Sequence, residues 1–229
     1  MTPALPITLR HPSSAPSAAG TKTITPPTLS WLQGAWLVTH SSLPLWRKAR
    51  NVRITYTPIP QSGSAGGRGH AGGTHLLDEV TYESLSSSGT GKPSTVRGVD
   101  KPFATADAPA TLGLVAHADT APPAATDAGE ELAALGYTWR GKGWLMIATS
   151  KWEILGWGEE EEGDSWVVTY FAKTLFTPAG VDFYSRRGRL GTATVEGIKA
   201  AIRELGGDVA KLGGEVFEVA CDGERDGKA

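Results

Sequence analysis

The chain has 229 residues, 40% of them hydrophobic, with 22 basic against 24 acidic side chains and a formal net charge of -2. That size admits one decorated domain or two small ones, and the near-neutral balance excludes a general polyanion-binding protein. The only cysteine, Cys221, excludes an intramolecular disulfide; this favours a reducing compartment, and a cytoplasmic location is expected.

Residues 1–28 are rich in Pro, Ser, Thr and Ala, lack the apolar core of a signal peptide, and read as a disordered tail. The ordered part is expected over 29–221. A first strand covers Ala35 to Ser41, with Trp36, Val38 and His40 alternating against Leu37 and Thr39. Asn51 to Thr57 is the second, with Val52, Ile54 and Tyr56 on one face, ended by Pro58 and Pro60. Leu76 to Ser84 and Thr95 to Val99 are the third and fourth. Flexible insertions are expected near 61–73, 86–94 and 103–130, and 222–229 reads as a second tail. Two strand-rich runs follow, at Tyr137 to Ser150 and Lys151 to Gly158. Trp166 to Leu175 and Val181 to Arg186 complete the series. The period then changes: Val195, Ile198, Ile202 and Leu205 share a helical face, Thr192 or Thr194 caps its start, and Gly206-Gly207 stops it. Glu215 to Cys221 is a short closing strand. Strands in series with one late helix predict an all-β closed architecture with the helix packed outside.

The sequence Leu32-Gln33-Gly34-Ala35-Trp36, the strand ending Tyr184-Ser185-Arg186 and the helix after it, in that order, resemble a lipocalin (calycin). Gly156-Trp157-Gly158 and an acidic turn stand where that family's middle motif falls. The runs Trp139 to Met146 and Trp166 to Arg186 are similar to those of uncharacterised lipocalin-like proteins of filamentous fungi. The resemblance covers Leu32 to Cys221 and implies an eight-stranded up-and-down antiparallel barrel with one C-terminal α-helix outside. It further implies that Trp36 plugs the closed end, with Arg186 stacked on its ring, and that function resides in the interior.

Parity from Trp36 carries Val38 and His40 into that interior, and parity from Arg186 carries Tyr184 and Asp182. His40, Asp182 and Tyr170 are therefore the catalytic candidates, His40 as a proton shuttle. Val38, His40, Tyr56, Trp144, Trp152, Tyr170 and Tyr184 are the candidate ligand-binding set, an aromatic lining suited to a rigid hydrophobic guest. Glu153 is either a further interior carboxylate or a solvent-facing strand residue. The basic run Trp46 to Arg53 reads as a solvated loop at the mouth or as a rim that attracts an acidic ligand, and Glu159 to Asp164 as a solvated hairpin tip.

Other chemistries find no support. The Gly-rich stretch from Gly63 to Gly73 lacks a phosphate-loop ending, and His70, His75 and His117 lack the partners of a metal site. No cofactor, metal or nucleic-acid partner is expected, and no run approaches the ~18 apolar residues of a membrane helix. Two functions compete: binding of a small hydrophobic molecule in the barrel, and cofactor-independent isomerase or cyclase chemistry on a hydrophobic secondary metabolite in the same cavity. Oligomeric state is left open.

Overall fold

The computed structural model describes residues 7–15, 22–60, 73–86, 92–105, 131–142, 149–160 and 163–222. Trp144, most of the three expected insertions and the tail beyond Asp222 lie outside the described residues. The strands are β1 (Gly34–Ser41), β2 (Ala49–Pro58), β3 (Leu76–Ser84), β4 (Ser94–Phe103), β5 (Gly136–Gly141), β6 (Thr149–Glu159), β7 (Ser165–Phe171) and β8 (Gly180–Ser185). Each pairs antiparallel with the next, and β1 pairs with both β2 and β8. The expected closed, eight-stranded, up-and-down antiparallel barrel is thus formed, and the eight-strand ring has no unpaired edge.

A single turn, α1 (Leu29–Leu32), precedes β1; the Thr28 hydroxyl accepts from the Trp31 amide and caps it. After β8 come α2 (Thr192–Leu205), α3 (Gly207–Gly214) and β9 (Phe217–Glu218), which pairs with the end of β1. The capping expectation is corrected: Gly191 is the N-cap of α2 and gives no side-chain bond, while the Glu160 carboxylate accepts from its amide.

Two apolar layers result. The first fills the barrel: Trp36, Val38, Val52, Ile54, Tyr56, Leu76, Tyr137, Trp152, Ile154, Val167 and Tyr184. The second lies between the outer face of β6–β8 and the helices, where Val168, Val181 and Phe183 meet Ile198, Ile202 and Val209. Strand β7 is consequently buried on both faces, and its sequence loses the alternation that would distinguish inside from outside.

The expected free tail is corrected over residues 7–15, which pack on the barrel wall. Leu9 and Arg10 are completely buried, and the Arg10 amide donates to the Leu155 carbonyl. The Arg10 guanidinium donates to the Glu153 carboxylate at 2.8 Å, and Ser13 supplies its amide and hydroxyl to the same group. Glu153 therefore faces outward beneath this strap, not into the barrel. Residues 22–28 are also engaged: Pro27 and Thr25 carbonyls accept from the Ala133 amide and the Trp157 indole. Arg10→Ala would strand a buried carboxylate, and loss of about 3–5 kcal/mol is expected. Urea titration of this variant, and of a chain lacking residues 1–15, checks it; parental stability in both would show that the strap contributes nothing.

Candidate functional site

Antiparallel alternation fixes the two ends of the barrel. β1 leaves the closed end at Gly34, so the connections β1–β2, β3–β4, β5–β6 and β7–β8 all lie at the opposite, open end. The connection between β4 and β5 starts and ends at the closed end; among its described residues, Glu131 to Leu135 pack beside α1.

At the closed end the structure brings Trp36 and Arg186 together. The guanidinium lies 3.6 Å from the indole centroid and donates to the carbonyls of Ala35, Gln33 and Trp31. The Trp36 indole N–H donates to the Leu32 carbonyl at 2.8 Å. Gly34 has φ +91°, and a Cβ there would come within 3.3 Å of the guanidinium, so both backbone and space require glycine. The acidic turn is not merely solvated: Asp164 is buried and accepts from the Ser185 hydroxyl at 2.6 Å, and Glu159 accepts from the Trp31 indole.

Above this plug the interior crosses a layer of aromatic rings and carboxyl groups. Tyr56, Trp152 and Tyr137 form a three-ring stack, with centroids 5.3 and 4.7 Å apart. The Trp152 indole donates to Asp100 at 2.9 Å. Asp78 pairs with Tyr56 across β2–β3, and Asp100 is two residues along on β4, so both carboxyls face the same interior. Asp78 Oδ1 and Asp100 Oδ2 are buried with no hydrogen-bond partner among the described residues, while the Tyr184 hydroxyl stands between the side chains of Thr169 and Tyr56. Burial pushes the Asp78 carboxyl up to about 7 and Asp100 well above the carboxylate range, the latter also through the Asp78 charge. The Tyr56 and Tyr184 phenols are raised by burial as well.

Nearer the mouth, Asp182 accepts from the Ser41 hydroxyl at 2.5 Å and the Trp46 indole at 3.3 Å. Its burial outweighs both bonds and lifts it to about 7. The interior positions of β3–β5 beyond Asp78 and Asp100, namely Val80, Tyr82, Val96 and Trp139, are only half-buried. The barrel is therefore fully packed at its closed half and less completely buried toward its mouth, where Trp46 meets Tyr82 edge to face. Trp139 lies so close over Gly98 that a Cβ there would sit 2.1 Å from the indole nitrogen. A separate pocket of about 210 Å³ opens on the outer wall, lined by Leu37, Asn51, Arg53, Glu83, Arg187 and Cys221.

Of the expected residues, Val38, Tyr56, Trp152, Tyr184 and Asp182 face the interior. His40 does not. Thr39 is an extra residue in β1, so Val38 opposes Tyr184 but His40 opposes the outward Phe183. The imidazole packs beside that ring and bonds the Thr39 hydroxyl; burial lowers its pKa. Tyr170 also faces outward, its hydroxyl accepting from Ser14 beneath the strap. Neither reaches Asp182, so the proposed catalytic trio is not assembled. Asp78, Asp100 and Ser41 also face this interior and are not among the expected residues, although Leu76-x-Asp78-x-Val80-x-Tyr82 places one carboxylate on an otherwise apolar strand face.

No family model matches this chain, and no curated protein matches it. Among solved structures it is similar to that of Ex-FABP, a siderocalin described as functioning through dual ligand specificities. The identity is 14%, the alignment covers 84% of this chain and 95% of that one, and the TM-score is 0.40.

The buried carboxyls make stability fall with rising pH. Below about 4 both the folded and the unfolded chain are protonated; between the ordinary 3.8 and about 7 only the folded chain retains these protons. Their favourable contribution is lost across that window and absent above it. Asp78→Asn is expected to be more stable than the parent at pH 8, by on the order of 1 kcal/mol or more, with little difference near pH 4. Urea denaturation at the two pH values checks this; an equal or lower stability at pH 8 would contradict it.

Proposed function

We propose that the barrel binds a small, largely apolar molecule in its open half, over the floor made by Asp78, Asp100 and Tyr184. The observation that carries this reading is the interior gradient. Half-buried apolar and aromatic walls stand above completely buried oxygens that have no partners among the described residues. Apolar walls supply affinity, and a few polar atoms fix orientation. The carboxyl oxygens accept hydrogen bonds, so the favoured guest carries a donor, an amine above all. A cationic guest would pair with Asp78 and Asp100 by drawing them into their charged form, whereas a carboxylate adds a further anion that these raised carboxyls meet only while protonated. The basic residues near Trp46 are at the rim or on the outer wall.

Saturable tryptophan quenching is expected with a long-chain alkylamine, and weaker quenching with the alkanoate of equal length. Asp78→Asn should lower amine affinity on the order of tenfold. Equal affinity for the two probes, or no saturable change, would count against the reading.

The isomerase or cyclase alternative draws on the same floor. Asp78 and Asp182 at about 7 are poised to give or take a proton near neutrality. Recovery of a guest chemically changed after incubation would favour that reading; recovery unchanged favours binding. A cytoplasmic location and a fungal relationship remain part of the proposal on sequence grounds.

A further inference from the structure

Among the described residues, the exposed large hydrophobic side chains are Leu45, Leu85, Leu132, Leu175 and Phe176. All but Leu132 stand on open-end connections: Leu45 between β1 and β2, Leu85 between β3 and β4, Leu175 and Phe176 between β7 and β8. Leu175 is 95% exposed and Phe176 80%, held out by a turn in which the Thr174 hydroxyl accepts from the Phe176 and Thr177 amides. A leucine and a phenylalanine presented this fully to water, with further leucines on the same end, mark a contact surface.

The charge at this end is one-sided. The connections 42–48, 85–93, 142–148 and 172–179 contain no Asp or Glu in their sequences. They carry Arg47, Lys48, Lys92, Lys142 and Lys173, all exposed. The neighbouring acids are either flanking or buried: Glu83 and Asp222 are ion-paired with Arg50, Glu218 sits on β9 beside His40, and Asp182 is buried in the interior under Ser41 and Trp46. Arg47 lies over the Phe217 ring, which leaves its charge in place. The closed end is the opposite, with Glu159 to Glu162 and Asp164 in one connection.

We propose that the open end docks on an anionic lipid bilayer surface. Apolar tips ringed by cations fit the boundary between headgroups and acyl chains, where tips enter and cations stay with lipid phosphates and carboxylates. An acidic protein would satisfy the cations, but it offers no general place for apolar side chains on three separate connections. The orientation turns the barrel mouth toward the lipid and needs no particular guest in the interior, so it stands or falls apart from the proposed function. No helix among the described residues is long and apolar enough to cross a membrane; the contact is with the surface.

The test is vesicle flotation of the full chain with phosphatidylcholine alone and with added phosphatidylserine. Binding is expected to the mixed vesicles and to weaken as salt is raised. Leu175→Ser with Phe176→Ser, and separately Arg47→Gln with Lys48→Gln, should each reduce it on the order of tenfold or more. Arg97→Gln, on the barrel's side wall, should leave it unchanged. Thermal melts matching the parent establish that the variants are folded. Failure of the parent to float with phosphatidylserine vesicles overturns the proposal, as does parental binding by either pair of variants. A parent dimer in light scattering that becomes monomeric in the Leu175/Phe176 variant also overturns it, by giving the apolar tips to a second copy.

Discussion

The Arg186 guanidinium lies against the Trp36 ring and donates to carbonyls of Trp31, Gln33 and Ala35, so α1, β1 and the end of β8 meet on one side chain. Those carbonyls belong to a helix end and a strand start, where backbone acceptors otherwise go unpaired. A planar cation with several fixed donors suits the position as an ammonium does not. The consequences extend along the chain. Gly34 must be glycine, Trp36 is held as a plug, and β8 is fixed next to β1 so that the ring of strands closes. The half-buried mouth exists because this opposite end is sealed.

The fold was legible in the sequence because its signals are local: turn residues at Pro58, Pro60 and Pro178, alternation in β2, and the change of period at α2. Interior assignment was legible only where a strand keeps one wet face. Asp182 and Tyr184 could be placed by counting back from Arg186, with no irregularity between. Counting forward from Trp36 worked for Val38 and failed for His40, because the extra residue at Thr39 reverses the alternation and leaves no compositional mark. Tyr170 failed differently. With helices outside and aromatic rings inside, β7 is apolar throughout, and parity alone cannot say which set is inward. The N-terminal strap was illegible for a third reason: Leu9 and Arg10 are ordered by Leu155 and Glu153, nearly the whole chain away.

The interior floor runs against stability. An apolar barrel of this size has little need of three buried aspartates, and each costs free energy in its charged form. Asp182 is partly relieved by Ser41 and Trp46, and Asp100 by Trp152 on one oxygen, whereas Asp78 Oδ1 and Asp100 Oδ2 have no partner among the described residues. Such local cost is the usual accompaniment of a site that must present polar atoms to something other than its own chain. The same contrast between ends of the molecule, acidic at the plug and basic at the mouth, gives the barrel an electrical direction as well as a geometric one.

The strap over β6 and β7 has a kinetic consequence. Arg10 and Glu153 are separated by 143 positions in sequence, and the wall that receives Leu9 exists only after β6, β7 and α2 have come together. During synthesis these first residues must wait for nearly all of the rest before they find their place. Contacts between such distant segments carry a large loop-closure cost and are expected to form late, and interactions absent from the folding barrier govern how slowly a protein comes apart rather than how quickly it assembles. The strap is therefore expected to act as a latch, slowing unfolding more than it speeds folding.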